Sequence, residues 1–217
     1  MSFKTIFPEA TEQQIRQMNT YAELIVAWNQ KINLVSRQDM ERLWEHHILP
    51  SAIVLKAVSI PQDLWVLDIG SGGGFPAIPL KILRPDLQIL MVDSIRKKKL
   101  FLQTVISQLK LENISVVNDR VEDLGRNPDY QEKFDLVSAR AVATIDSLFN
   151  WGRPFLKKSG GYLLWKGTSD IPELEAASGD FDFDYRIFDV PDSFHTFSKK
   201  FSTLHFFEMY QSGQIVS

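Results

Sequence analysis

VLDIGSGGGFPAIPLKILRP, residues 66–85, is the stretch on which the fold turns. A β-rich apolar run ends in Asp68 and Ile69, four glycines follow (Gly70, Gly72, Gly73, Gly74), and an apolar helical pattern begins after Phe75 and Pro76. A strand that runs into a glycine-rich turn and then a helix opens many nucleotide-binding α/β folds. The spacing rules out two versions of that turn. The dinucleotide fingerprint G-x-G-x-x-G needs a glycine where Phe75 stands, and a phosphate-cradling G-x-x-x-x-G-K-[ST] loop needs a lysine, which residues 69–76 lack. Gly70 and Gly72 let backbone and ligand approach closely. Phe75 offers an aromatic wall beside the ligand, and Pro76 suits a first helical position, where its missing N–H would have no partner anyway.

The next signal outward is Asp93, at the end of a second apolar run, 23 residues after Gly70. In a doubly wound sheet that strand end lies beside the first turn, where a carboxylate can accept both hydroxyls of an adenosine ribose. Asp68 is a second carboxylate facing the same crevice. Two close carboxylates oppose a pyrophosphate but suit a cofactor that carries an ammonium and a sulfonium. Electrostatics and glycine spacing therefore both point to S-adenosylmethionine, held around Asp68, Gly70, Gly72 and Asp93.

The rest of the chain frames this unit. In residues 11–60, Ile15, Met18, Tyr21, Leu24, Ile25, Trp28 and Ile32 recur at helical steps behind a Thr11/Gln14 capping box. A second helix is expected from Asp39 to Leu49, stopped by Pro50, and a shorter third after it. From Leu64, strands at 65–68, 88–93, 114–118, 134–139 and 162–166 alternate with helices near 76–84, 96–110 and 144–156. This is the rhythm of βαβ units and a parallel sheet covered on both faces. YRIFDV and STLHFFEMY add two strands, expected to pair as an antiparallel edge. The expected organisation is a helical extension over 1–60 followed by one compact cofactor-binding domain over 61–217.

Composition sets outer limits. A chain of 217 residues can bury a sizeable core, and no apolar run approaches the roughly 20 residues that span a bilayer. The first residues, MSFKTIFPEATEQQ, lack a long apolar stretch and a small-residue cleavage site, so a cytoplasmic protein is expected. There is no cysteine, which excludes disulfides, thiolate metal sites and every Cys-nucleophile mechanism. His46 and His47 are adjacent, so on a helix they point about 100° apart, which is not the geometry of a metal pair; no metal is expected. The chain has 24 bases and 27 acids, but residues 170–192 hold eight of those acids and one base, leaving 23 bases against 19 acids elsewhere. A basic face can therefore coexist with an overall net charge of −3. The stretch 170–192 itself reads as an acidic loop without an assigned role.

Several separated segments carry a family resemblance: WNQKINL (28–34), HILPS (47–51), LDIGSGGGFPAIPL (67–80), VDSIRKKKLFL (92–102), NDRVED (118–123), SARAVA (138–143) and WKG (165–167). In this order and spacing the chain resembles the glucose-inhibited division protein B family. These are class I S-adenosylmethionine-dependent methyltransferases that modify N7 of one guanine in bacterial 16S ribosomal RNA. The resemblance implies a Rossmann-like α/β fold with a mostly parallel seven-stranded sheet. It also implies cofactor contacts at Gly70, Phe75, Val121, Glu122 and Arg140, with Asp93 and Ser94 at the ribose. The family usually has Asp where this chain has Pro50, and the chain diverges after Gly167.

Two absences fit that acceptor. Cytosine-C5 and uracil-C5 transfer need a Cys nucleophile, and an Asn/Asp-Pro-Pro-aromatic motif of amino-methylating enzymes is replaced by SARAVA. Guanine N7 has a free lone pair and loses no proton, so in-line displacement needs positioning and no catalytic acid or base is named. An arginine bonded to both O6 and N7 would occupy the reacting lone pair. Arg120 and Arg140 are therefore expected on phosphate, on O6 alone or on the cofactor. Arg96, Lys97, Arg120, Arg140 and Lys166 are the leading RNA contacts, with Lys81, Arg84, Lys98, Lys99 and Arg153 as further basic candidates. Phe75, Phe149, Trp151 and Trp165 are candidates to stack a splayed base. The expected partner is 16S rRNA or the small ribosomal subunit particle, met by a monomer, with no membrane. A small-molecule or protein methyltransferase, a nicotinamide oxidoreductase and a non-catalytic binding module stay open as alternatives.

Overall fold

The computed structural model describes residues 3–211. The chain opens with a helical layer: α1 (Phe3–Ile6), α2 (Glu12–Asn29), α3 (Arg37–Met40), a π-helix (Trp44–Ile48), α4 (Leu49–Ala52) and α5 (Val54–Ala57). The Thr11/Gln14 capping box starts α2, which buries Met18, Tyr21, Ala22 and Ile25 along one stripe. Strands and helices then alternate: β1 (Trp65–Ile69), α6 (Ala77–Leu83), β2 (Gln88–Val92), α7 (Arg96–Leu109), β3 (Ile114–Val117), α8 (Val121–Leu124), β4 (Phe134–Arg140), α9 (Ile145–Gly152) and β5 (Leu156–Gly167). The chain closes with α10 (Ile171–Phe181), β6 (Phe183–Asp189) and β7 (Leu204–Gln211).

The seven strands form one sheet in the order β3-β2-β1-β4-β5-β7-β6. The first five are parallel, and β7 pairs antiparallel with both β5 and β6. The Rossmann-like α/β fold and the antiparallel edge expected from the sequence are both present. Alternation along the strands splits the core in two. Val66, Ile89, Met91, Leu163 and Trp165 pack against α2, α6, α7 and the N-terminal layer. Leu67, Ile69, Val137, Ala139 and Leu164 pack against α9 and α10. The N-terminal layer thus shares one hydrophobic core with the sheet.

Two expectations are corrected. Residues 39–49 do not form one regular helix, and Pro50 does not stop the helical path but lies inside α4. Pro50 has no N–H to offer the His46 carbonyl four residues back, and its ring would collide with that carbonyl. The chain widens into the π-helix instead, closed by the Leu49 N–H to the Trp44 carbonyl. Residues 170–184 are not a loop but mostly α10 and the start of β6, whose remainder is the strand expected at YRIFDV. Pro172 lies in the first turn of α10, Leu174 and Ala177 are buried three residues apart, and Asp182 ends the helix in a left-handed conformation at φ 52°. The acids dominate the composition there, but two buried apolar positions per helical face suffice to dock it.

Candidate active site

The carboxyl ends of β1, β2 and β4 converge on the glycine turn. Gly70, Gly72 and Gly74 have φ of 67°, 55° and 91°, a region closed to most side chains. The Gly70 and Ser71 N–H groups both donate to the Val92 carbonyl, at 2.9 and 3.1 Å, which ties the turn to the end of β2. Asp93 sits just beyond, buried. Its Oδ2 accepts the Gly72 N–H at 2.9 Å and its Oδ1 accepts the Ile95 N–H at 2.8 Å. Each oxygen retains acceptor capacity, as a vicinal diol requires. Lys98 Nζ stands 3.9 Å from Oδ2. The space above Gly72 is open: a Cβ there would meet only the Gly70 carbonyl oxygen at 3.7 Å and Lys98 Nζ at 4.0 Å.

Asp68 is fully buried one strand over. Ser138, its register partner on β4, donates to Oδ1 at 2.8 Å. Oδ2 is buried with no hydrogen-bond partner among the described residues. Burial raises the Asp68 carboxyl to about 7, against the opposing pull of the Ser71 and Ser138 hydroxyls, and the neighbouring Asp93 charge adds to the rise. An orphaned buried carboxylate oxygen is costly alone, and a cationic ligand group would relieve it. The residues present therefore fit S-adenosylmethionine.

The helical layer is stitched to this end of the sheet. Tyr21 donates to the Gly73 carbonyl at 2.6 Å, and Trp165 Nε1 donates to the Pro50 carbonyl at 2.9 Å. Arg140, the last residue of β4, donates to the His46 and His47 carbonyls at 2.5 and 2.9 Å and to Ser51 Oγ at 2.9 Å. These contacts supply the donor that Pro50 lacks. Burial lowers Arg140 to about 10, which leaves it charged at neutral pH. His46 Nδ1 lies 2.5 Å and His47 Nε2 3.5 Å from the Asp39 carboxylate, whose pKa these neighbours lower, His46 most. Burial, with Arg140 nearby, pushes His47 down to about 4, so its imidazole is neutral.

A family model described as rRNA small subunit methyltransferase G matches residues 14–200. The chain belongs to that family. Curated methyltransferase G proteins agree. The chain is 42% identical over 166 residues to the Desulfitobacterium hafniense protein, covering 76% of this chain and 68% of that one. It is 42% identical over 167 residues to the Leuconostoc citreum protein, covering 76% and 70%. The fold matches solved methyltransferases at low identity. An Aquifex aeolicus SAM-dependent methyltransferase superposes with TM-score 0.59 at 13% identity, over 81% of this chain and 98% of that one. TYW2 of M. jannaschii, solved with AdoMet, gives 0.55 at 15%, over 84% and 80%.

In this methyltransferase G chain the expected site residues separate into groups. Asp68, Gly70, Gly72 and Asp93 meet at one turn, with Ser94 exposed beside Asp93. Val121 and Glu122 open α8, just past the end of β3. Phe75, expected as an aromatic wall near the ligand, is largely buried. Its ring is buried between Tyr21 and His47, at 5.7 and 5.1 Å, with the Arg140 guanidinium 5.8 Å from its centroid. Arg96, Lys97 and Arg120 are exposed near the same strand ends, whereas Arg140 and Lys166 are turned inward.

Further basic and aromatic candidates drop out. Lys81 is buried on the Pro85 and Leu87 carbonyls, and Arg84 is bound to Asp86 and the Ile60 and Pro61 carbonyls. Arg153 lies just before the start of β5, at the amino ends of the parallel strands and away from the glycine turn. Phe149 stacks on Tyr162 and Phe183 and Trp165 is buried, so neither offers an open face of the kind expected for a base, while Trp151 is partly buried against the same core as Phe149. An open groove of about 780 Å³ lies against the first residues of β1–β4, away from the glycine turn, and contains no expected site residue. What sequence reasoning missed is the contact of Glu173 with the Ile145 amide and with Lys166, beside the loop after β4. Glu173 lies in a stretch read as an acidic loop, so its spacing carried no signal.

Proposed function

We propose that this chain transfers a methyl group from S-adenosylmethionine to N7 of a guanine in 16S ribosomal RNA. The observation that carries the cofactor half is the pair of buried carboxylates, Asp68 and Asp93, flanking a positive-φ glycine turn with open space above Gly72. Asp93 would hold the ribose hydroxyls, with Ser94 beside it. Asp68 would face the cationic amino-acid part, and Val121 and Glu122 the adenine. When bound, the cofactor supplies an electrophilic methyl on a sulfonium. The protein's own part is alignment of donor and acceptor, for which orientation alone can supply roughly 7–11 kcal/mol.

Family membership supports the rRNA half, and α7 adds a physical reason. Its first turn is Arg96-Lys97-Lys98-Lys99 with no acid, the reverse of what the helix dipole favours. Four bases held against that dipole suit a polyanion crossing the carboxyl edge of the sheet, with Arg120 alongside. The chain would act as a monomer, and 16S rRNA or its small-subunit particle would be met in the cytoplasm. The test is mass spectrometry of 16S rRNA nucleosides from a strain lacking this chain. N7-methylguanosine should disappear and return on complementation. An unchanged amount rejects the proposal. Labelling of purified particles that survives RNase would point to a protein acceptor.

A further inference from the structure

The loop Ala141–Ala143, between β4 and α9, stands between two spaces. On one side it packs on the glycine turn, where the Val142 methyls lie 2.8 Å from the position a Cβ on Gly70 would take. On the other, Ala141, Val142 and Ala143 form part of the wall of an open cleft of about 540 Å³, shared with Pro50, Arg140 and Lys166. The loop is not relaxed on its own account. Ala141 has φ 54°, and Val142 is 37% exposed although apolar. A non-glycine residue keeps such a conformation when its surroundings over-determine it.

Those surroundings are specific. Lys166, near the end of β5, donates from Nζ to the Ala143 carbonyl at 3.2 Å. Glu173, in the first turn of α10, accepts the Ile145 N–H on Oε1 at 2.6 Å. The two side chains face each other, with Nζ 3.7 Å from Oε2. Thr144 lies between the two anchored groups and caps α9 through the Ser147 N–H. One Lys–Glu pair thus grips the exit of the loop at a carbonyl and at an amide two residues apart.

We propose that Glu173, acting through the Ile145 amide beside the Lys166 anchor at Ala143, is a positioning residue that sets the Ala141–Ala143 loop between the methyl donor and its acceptor. This rests on the methyl-transfer reading above. Glu173 touches neither reactant. Its contribution is to remove freedom from the wall against which both are aligned, where displacements near 1 Å can cost about a hundredfold in rate.

The test compares Glu173→Ala with Glu173→Gln, measuring methylation kinetics, S-adenosylhomocysteine affinity and hydrogen exchange at the Ile145 amide. In Glu173→Ala, kcat should fall about tenfold to a hundredfold. KM for S-adenosylmethionine and S-adenosylhomocysteine affinity should stay within about twofold, and the Ile145 amide should exchange faster. Glu173→Gln keeps an acceptor for that amide and should recover most of kcat and of the protection. The proposal is overturned if Glu173→Ala retains wild-type kcat, if Glu173→Gln is equally impaired, or if the loss follows a loss of folded protein or cofactor affinity. A wild-type chain that fails to methylate 16S rRNA rejects the methyl-transfer reading instead, and the exchange contrast at Ile145 tells the two failures apart.

Discussion

Ser138 and Asp68 sit in register on neighbouring parallel strands, and the Ser138 hydroxyl satisfies only one of the two oxygens of a fully buried carboxylate. A carboxyl raised from 3.8 to about 7 binds its proton more tightly in the folded than in the unfolded chain. Between those values the folded state holds the extra proton, so stability falls as pH rises through the window.

Wild type should therefore lose about 2–3 kcal/mol from this group between pH 5 and pH 8, while Asp68→Asn should not. The stability gap between the two, from urea denaturation at both pH values, should widen toward alkaline pH, and Asp68→Asn should bind S-adenosylhomocysteine more weakly. Equal gaps at the two pH values would show that Asp68 is not the titrating group.

His47 carries the opposite sign. Burial holds its imidazole neutral down to about 4, below the ordinary 6.5, so the unfolded chain takes up the proton first. Its stabilisation is present above about pH 6.5 and is lost as pH falls toward 4. His47→Gln should flatten acid unfolding in that window by about 1–2 kcal/mol. An unchanged acid limb between pH 6.5 and 4 would rule this out. Loss confined below pH 4 would belong to Asp39, whose carboxyl is held below its usual range.

Arg140 and Pro50 are coupled through the π-helix. Removing the guanidinium with Arg140→Met strands the His46 and His47 carbonyls and should cost about 2–4 kcal/mol. Pro50→Ala restores an N–H for the His46 carbonyl, so Arg140→Met should cost about 1 kcal/mol less in that background. Strict additivity in the double-mutant cycle would mean that Arg140 does not compensate for the proline.

Lys97→Glu should separate stability from binding. Reversing one charge in the first turn of α7 relieves the unfavourable dipole interaction by about 0.3–1 kcal/mol and should raise the melting temperature slightly. The same change should weaken RNA binding and lower its salt dependence by about one phosphate contact. A variant with unaltered RNA affinity and salt slope would remove the basic turn from the RNA surface.

Much of this molecule is legible in local patterns. The turn Gly70–Gly74 announces itself because three of its residues need φ values that other residues avoid. The strand-end carboxylates Asp68 and Asp93 stand at intervals that a βαβ unit brings together. The near-continuous apolar run of β1 marks a strand buried on both faces, and the helical stripe of α2 states which face is buried before any packing is known. Pro50 reads as a helix stop, but it lies inside α4, and the chain widens into a π turn before it instead of ending.

Other assignments depend on elements far apart in the chain. Arg140 meets carbonyls more than 90 residues earlier, and Glu173 meets an amide 28 residues before it. Nothing in the composition of RKKK or SARAVA says that Arg96 and Lys97 face water while Arg140 is drawn inward. Phe75 reads as an aromatic wall, and only packing shows that Tyr21 of α2 and His47 of the π-helix cover its ring. Backbone conformation is set by a residue and its near neighbours, and so it is written in sequence spacing. The partner of a long polar side chain is set by which unpaired carbonyl, amide or charge the packed layers bring within about 3 Å, and that is decided only when the layers meet.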